Sequence, residues 1–162
     1  MAKLKMVASV GDLTSADDSA VLFSGVAAEL SAELMVDAYR GTVDWSEGDD
    51  ASVALAEIRS TLDGAYGEFL DPASLAFLDA TGRPIAQIVC SIFESEATIL
   101  FVYTGAAHKG KGLATRLIRA SSAEVAKLGF SSISLYVTDI NPAKELYEKL
   151  GFEIQDENRR QP

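Results

Sequence analysis

Leu4, Met6, Ala8 and Val10 alternate with more polar neighbours, a period of two that predicts a strand over 4–10. Leu22, Val26, Leu30 and Leu34 recur every four residues and predict a long helix over about 18–39. Val53, Leu55, Ala56 and Ile58 predict a second helix over 51–62. Residues 74–80 read as a strand, and Gly82-Arg83-Pro84 turns the chain into another over 85–93. A hairpin around 94–96 leads into an apolar strand, 98–104, and then a glycine-rich loop. A helix over 113–128, a strand over 132–138 and a short helix over 142–150 complete the order.

In the helix after the loop, Leu113, Ala114, Leu117, Ile118, Ser121, Val125 and Leu128 share one stripe, with Arg116, Arg119, Ser122 and Lys127 off it. Each buried Leu or Ile there contributes roughly 1.5–3 kcal/mol, enough to dock the helix on a sheet. Antiparallel strands followed by strand–helix–strand–helix imply an α/β (α+β) fold. Its sheet is mixed and mostly antiparallel, with one parallel strand pair late in the chain and helices flanking it. The 162 residues fit a single domain, 1–162, without internal repeats or low-complexity tracts.

Composition narrows the chemistry. Hydrophobic residues make up 48% and charged residues 23%, so a sizeable core is expected rather than disorder. The formal net charge of −10 argues against a general nucleic-acid binder, which needs a basic footprint. One cysteine, Cys90, excludes an internal disulfide and a multi-cysteine metal site, and one histidine, His108, excludes a His-rich one. No metal cofactor is expected. The start lacks a signal-peptide core, and the apolar segment 21–36 contains Glu29 and Glu33 and is no membrane span. A cytoplasmic location without membrane association is expected.

The charge is unevenly spread. Residues 1–100 hold 5 basic and 17 acidic groups, a balance of −12, whereas residues 101–150 hold 7 and 4, a balance of +3. The basic part contains the glycine loop. A strand enters a loop with Gly110 and Gly112, flanked by Lys109 and Lys111, and a helix begins at once, with Thr115 in its first turn. This geometry gathers free N–H groups and a positive helix end at one point, suited to a phosphate. A plain turn with solvated lysines is the simpler alternative. Gly105-x4-Gly110-Lys111 begins like a nucleoside-triphosphate loop, but Gly112 stands where Ser or Thr would hold magnesium. A dinucleotide fingerprint fails at Thr115, where its third glycine belongs.

Lys109-Gly-Lys-Gly-Leu-Ala114 resembles the Arg/Gln-x-x-Gly-x-Gly/Ala signature of the GNAT superfamily of acyl-CoA-dependent N-acyltransferases, with Lys109 replacing Arg or Gln. Downstream, Leu135 to Asn141 and Ala143 to Phe152 are similar to that family's later strand and its Asn-x-x-Ala-x-x-Leu-Tyr-x-x-x-Gly-Phe helix, Asn141 falling one residue late. The resemblance covers about 98–153. It implies an N-acetyltransferase that moves an acetyl group from acetyl-CoA, its co-substrate, to a primary amine by direct attack in a ternary complex. It also implies coenzyme A between two splayed parallel strands. Backbone groups of Gly110, Lys111, Gly112, Leu113 and Ala114 would cradle its pyrophosphate, assisted by Lys109 and Thr115. Val102 and Thr104 would pair with the pantetheine arm as an added strand does. Asn141 is either a helix cap before Pro142 or a cofactor contact. Tyr147 would protonate the departing thiolate.

Attack requires a neutral amine. An alkyl amine with a pKa of ~10.4 lies about three units from neutrality at pH 7, which adds roughly 4–5 kcal/mol unless a base helps. The family often places a Glu on the strand before the loop, where this chain has Thr98; Glu96, two residues earlier, is the candidate base, with solvated hairpin residue as the alternative. Cys90 reads as core packing rather than a nucleophile, and His108 as a surface residue. The acceptor is expected to meet Asp37, Tyr39, Arg40, Asp44, Trp45, Glu47, Tyr66 and Glu68. That acidic, aromatic set suggests a small cationic amine, with a peptide amine as rival. A non-catalytic acyl-CoA sensor is the alternative function, and a homodimer is compatible with the sequence.

Overall fold

The computed structural model describes residues 2–42, 48 and 50–155. Among them are eight strands: β1 (Lys3–Ser9), β2 (Val21–Leu22), β3 (Glu68–Phe69), β4 (Leu75–Leu78), β5 (Pro84–Phe93), β6 (Glu96–Thr104), β7 (Ser132–Thr138) and β8 (Glu153–Ile154). Four α-helices accompany them: α1 (Ala28–Tyr39), α2 (Ala51–Leu62), α3 (Leu113–Lys127) and α4 (Ala143–Lys149). The strands form one sheet in the order β2-β4-β5-β6-β7-β1-β8, with β3 pairing beside β4 on β5. Every pairing is antiparallel except β6 with β7. The expected mixed sheet with one parallel pair is therefore present.

Two local features shape the centre of the sheet. Glu94 and Ser95 take positive φ values of 50° and 68°, the geometry of a tight two-residue hairpin turn, and set the β5–β6 register. That register then slips: Val89 faces Phe101 but Cys90 faces Ile99, leaving Leu100 as an extra residue on β6. Such a bulge bends its strand and increases its twist. Beyond it β6 leaves β7. The parallel register contains only Thr98 with Ser134 and Ile99 with Leu135, whereas β7 stays paired with β1 to its end at Thr138.

The helix expected from residue 18 begins only at Ala28. Ser24-Gly25, poor helix formers, interrupt the segment. Phe23 turns into the core at 3% exposure, while Val21 and Leu22 pair as an edge strand with Ala76 and Leu75. The second helix matches its expected bounds because Asp50 caps it, its Oδ1 accepting from the N–H of Ser52 (2.9 Å) and Val53 (3.1 Å). On α3, Ser122 is buried and extends the stripe, whereas Leu128 lies past the helix end and is exposed.

Helices cover both faces. One core joins Ile88, Cys90, Ile99, Leu117, Ile118, Val125, Ile133, Leu135 and Phe152 between the sheet, α3 and α4. The other joins Phe23, Leu34, Met35, Ile58, Val89 and Tyr103 beneath α1 and α2. Among the described residues no helix is long and apolar enough to cross a membrane, and no three His, Cys, Asp or Glu side chains converge as metal ligands.

The first turn of α3 is tied to the front of the chain. Arg116 Nε donates to Asp17 Oδ2 (2.9 Å) and Nη2 to Oδ1 (3.2 Å), while its guanidinium lies 4.4 Å over the Phe77 ring. Hydrogen bonding from Arg116 holds the Asp17 carboxyl below its ordinary range. A depressed folded-state pKa stabilises the fold above the unfolded value of ~3.9, and that stability is lost as pH falls through the folded value. Asp17→Asn is therefore expected to lower stability at pH 7 by at most about 1 kcal/mol, a Tm drop of about 2–4 °C. In thermal melts the gap from wild type should close as the pH falls below about 4.

Candidate active site

The divergence of β6 from β7 opens a cavity of ≈ 700 Å³, within the range of small-molecule sites. Five segments wall it, four of them from the second half of the chain. Val102, Tyr103 and Thr104 come from the end of β6, and the glycine loop contributes His108, Lys109, Gly110 and Gly112. The first turn of α3 adds Leu113, Ala114 and Thr115, and Asn141, Leu146 and Tyr147 belong to the segment at and just before α4. From Leu100 onward, β6 has a strand partner only on its β5 side.

The loop is built to present N–H groups. Gly110 and Gly112 adopt φ values of +80° and +78°, the left-handed region where a side chain is strained. A Cβ at either would meet no atom within 4 Å, so backbone conformation, not crowding, selects glycine. Gly112 is the N-cap of α3 and has no side chain to cap it. The first intrahelical bond is Arg116 N–H to Gly112 O (3.1 Å), so the N–H groups of Leu113, Ala114 and Thr115 stay unbonded at the positive end of a 15-residue helix. A phosphate group fits such a cradle.

Most residues expected to hold coenzyme A come together here: Val102, Thr104, Lys109, Gly110, Gly112, Leu113, Ala114, Thr115 and Asn141 all line the cavity. Lys111 lies between two lining glycines but is not itself a wall residue. Lys109 Nζ donates to the Ala38 carbonyl (2.7 Å) in the last turn of α1, so this lysine straps the loop to that helix. Asn141 Oδ1 accepts from Ala143 N–H (2.9 Å), a capping bond for α4, while the residue also faces the cavity. Tyr147 is 8% exposed, lines the cavity and packs edge-on against Phe152, whose N–H donates to the Tyr147 carbonyl (3.0 Å).

Glu96 is not brought to this site. It begins β6, six residues before Val102, about 20 Å along the strand. Its carboxylate forms an ion pair with the buried Lys5 of β1. Thr98, at the position where the family often has its base, is 2% exposed. Among the described residues no carboxylate lines the cavity. Of the residues expected to meet the acceptor, Asp44, Trp45 and Glu47 lie outside the described residues. Asp37 Oδ2 accepts from Ala106 N–H (2.8 Å) in the loop, Tyr39 lines the cofactor cavity, and Glu68 is exposed on β3.

Sequence reasoning did not find the contribution of α1. Ala38, Tyr39 and Thr42 form one wall, and the Tyr39 ring lies tilted by 58° against Tyr103, centroids 5.8 Å apart. Their only sequence signal was an aromatic at a helix end, which spacing alone does not connect to a loop some 70 residues away.

The Acetyltransferase (GNAT) family model matches residues 33–152. No curated protein sequence matches the chain. Among solved structures, a GCN5-related N-acetyltransferase from Sphaerobacter thermophilus superimposes with a TM-score of 0.67 at 13% identity, covering 94% of this chain and 48% of that one. A GNAT-family protein from Novosphingobium aromaticivorans gives 0.62 at 24% identity, over 94% and 59%. The PaiA N-acetyltransferase of Thermoplasma acidophilum, solved in complex with coenzyme A, gives 0.56 at 22% identity, over 96% and 92%. The chain thus spans about half the length of the first two and nearly all of the third; at these identities the likeness is one of fold.

Cys90 takes no part in the site. It is wholly buried, its Sγ lies 3.2 Å from Ser121 Oγ, and burial pushes the thiol up to about 12. The native protein is expected to show no reaction with a thiol reagent such as 5,5′-dithiobis(2-nitrobenzoate) at pH 8. One equivalent should appear after unfolding in guanidinium.

Proposed function

Because the chain belongs to the GNAT acetyltransferase family, we propose that it transfers an acetyl group from acetyl-CoA to a primary amine by direct attack within a ternary complex. The observation that carries this reading is the cavity between the end of β6, the glycine loop and α4, where β6 has parted from β7. It joins an unpaired strand edge, an N–H cradle at a helix start and a tyrosine in one wall. Bound acetyl-CoA supplies an activated thioester. The chain's own residues do the rest. Backbone N–H groups from Gly110 to Thr115 donate to the pyrophosphate oxygens. The free edge of β6 at Val102 and Thr104 aligns the amide-bearing arm by strand-like pairing. Tyr147 gives its phenolic proton to the departing thiolate. With the one cysteine buried and its thiol raised to about 12, no thiol is available in this cavity for a covalent acyl-enzyme.

The missing carboxylate in the cavity favours one second reading, a domain that binds acyl-CoA without turning it over. A single experiment separates the two. Thermal shift with acetyl-CoA at about 100 times its dissociation constant should add about 2.7 kcal/mol, and ATP–magnesium should add nothing. Free CoA thiol is then followed across a panel of amines and peptides, and release with any of them rules out the sensor. No shift with any CoA species would overturn both readings.

Tyr147→Phe is expected to lower turnover about 10²-fold while leaving acetyl-CoA affinity within about twofold. Steady-state rates and a binding isotherm on the same variant give the two numbers. Unchanged turnover removes Tyr147 from the proton-donor role.

A further inference from the structure

No carboxylate lines the cofactor cavity among the described residues, but a second pocket lies at the same break in the sheet. It measures ≈ 240 Å³ and is lined by Glu57 of α2, Tyr66, Leu100 and Phe101 of β6, Tyr136 of β7 and Lys3 of β1. Its strand residues directly precede those of the first cavity: β6 gives Leu100 and Phe101 to one and Val102 to Thr104 to the other. One or two strand residues, about 3–7 Å, separate the two along β6. The bulge at Leu100 lies in the wall of the second pocket, and β6 and β7 last pair at Ile99 and Leu135. Both cavities therefore open at the point where the two strands part.

Within this pocket Tyr66 Oη donates to Glu57 Oε1 at 2.8 Å. Glu57 Oε2 has no hydrogen-bond donor among the described residues. The bond to Glu57 also holds the Tyr66 phenol above its ordinary range, so it remains a donor at neutral pH. The other ionisable groups sharing the pocket are Tyr136 and Lys3, and the Lys5–Glu96 pair lies further along β1 and β6. Leu100, Phe101 and Tyr136 supply apolar and aromatic wall.

We propose that this pocket seats the acceptor amine and that Glu57, positioned by Tyr66, takes the proton from its ammonium group. The proposal rests on the acetyl-transfer reading above. It also names the acceptor class. The pocket offers one carboxylate to one ammonium, aromatic faces to the group beside it, and Lys3 against a second cation. That description fits a monoamine with an apolar or aromatic neighbour rather than a polyamine. An N–H bond of the ammonium breaks and its proton passes to Glu57 Oε2. The freed nitrogen pair forms the bond to the acyl carbon, and the C–S bond breaks with its electrons left on sulfur. The sulfur takes the Tyr147 proton, and the second proton lost by nitrogen restores Tyr147 through solvent. Glu57 then releases its proton to water, so the products are the amide, CoA thiol and one proton.

The test begins with the full chain loaded with CoA and titrated with tyramine, in parallel with spermidine, while the aromatic resonances of Tyr66 and Tyr136 are followed by NMR. Saturable shifts with tyramine are expected, at least about tenfold weaker for spermidine and for Glu57→Gln. In turnover, Glu57→Gln should lower kcat/KM for tyramine about 10²–10⁴-fold at pH 7, the deficit narrowing toward pH 10 as the amine deprotonates in solution. Tyr66→Phe removes the bond that orients the carboxylate and should lower kcat for tyramine about tenfold while KM stays within about twofold. Both variants should keep wild-type acetyl-CoA affinity, which also reports that they are folded. A normal acetyl-CoA shift without a saturable ring response to tyramine overturns the pocket alone. So does unchanged turnover in Glu57→Gln, or an unchanged kcat in Tyr66→Phe. Stronger response to spermidine overturns the single-ammonium assignment. A wild-type chain that ignores acetyl-CoA overturns the transferase reading and this proposal with it.

Discussion

A strand in the middle of a sheet has two backbone edges, and each buried N–H and C=O on them needs a partner. β6 violates that requirement on one side for its second half. Its partner on the other side, β5, stays with it to Thr104, so the strand keeps its shape while the edge toward β7 opens. The cause is local: the extra residue at Leu100 bends β6. β7 does not follow because its full-length pairing with β1 fixes it. Everything proposed about function depends on this gap, because it leaves β6 unpaired toward β7 beyond Ile99 and both pockets take residues from that part of the strand.

A gap of this kind would tend to close or fray unless its rim were held. α1 supplies the hold. Gln87 Nε2 donates to Ser31 Oγ (2.8 Å) and Tyr103 Oη to Gln87 Oε1 (2.6 Å), a buried polar chain that pins α1 to β5 and β6. At the other end of the helix, Asp37 receives Ala106 N–H and Ala38 receives Lys109 Nζ. The glycine loop, whose own residues are chosen for conformational freedom, is thereby fixed at its entry and at Lys109. A cradle with few states to lose on binding retains more of its interaction energy as affinity. Lysine in place of the family's usual arginine or glutamine suits this role: a single ammonium on a flexible stem reaches one helix-end carbonyl, with no need for a planar fork.

The features legible in the sequence were those with short-range causes. Leu113 to Val125 repeat at helical period, and Asp50 precedes a helix it caps, so α3 and α2 fall where expected. The strand over Ser132–Thr138 is bounded by turns and apolar on one face, and it too matches. The glycine loop was readable because positive φ restricts residue choice at particular positions. What escaped were facts set by packing at a distance. Val21-Leu22 pairs with β4 because Phe23 enters the core and carries the chain there, which outweighs the four-residue spacing of Leu22 and Val26. Glu96 shares a strand with the cofactor residues, but strand sharing says nothing of distance, and its partner Lys5 comes from the opposite end of the chain. Glu57 carried no local signal at all. Its proposed role arises only because the fold brings it to the same pocket as Leu100 and Phe101 of β6.

The charge asymmetry also takes on a structural meaning. The acidic first hundred residues supply α1, α2 and the strands beneath them; the locally basic stretch that follows supplies the glycine loop and α3. The two meet at the parting of β6 and β7. A transfer reaction between an anionic donor and a cationic acceptor needs opposite potentials on either side of the reacting bond, close enough to share one centre yet separated enough that each reactant prefers its own side. A sheet with a gap meets both demands. On the proposed assignment, the glycine loop and the start of α3 face the anionic donor, Glu57 faces the cationic acceptor, and the adjacent residues Phe101 and Val102 belong one to each pocket. An acid beside the glycine loop would repel the pyrophosphate, so under the proposal above Glu57, outside the lining of the cofactor cavity, can take a proton without weakening the hold on the donor.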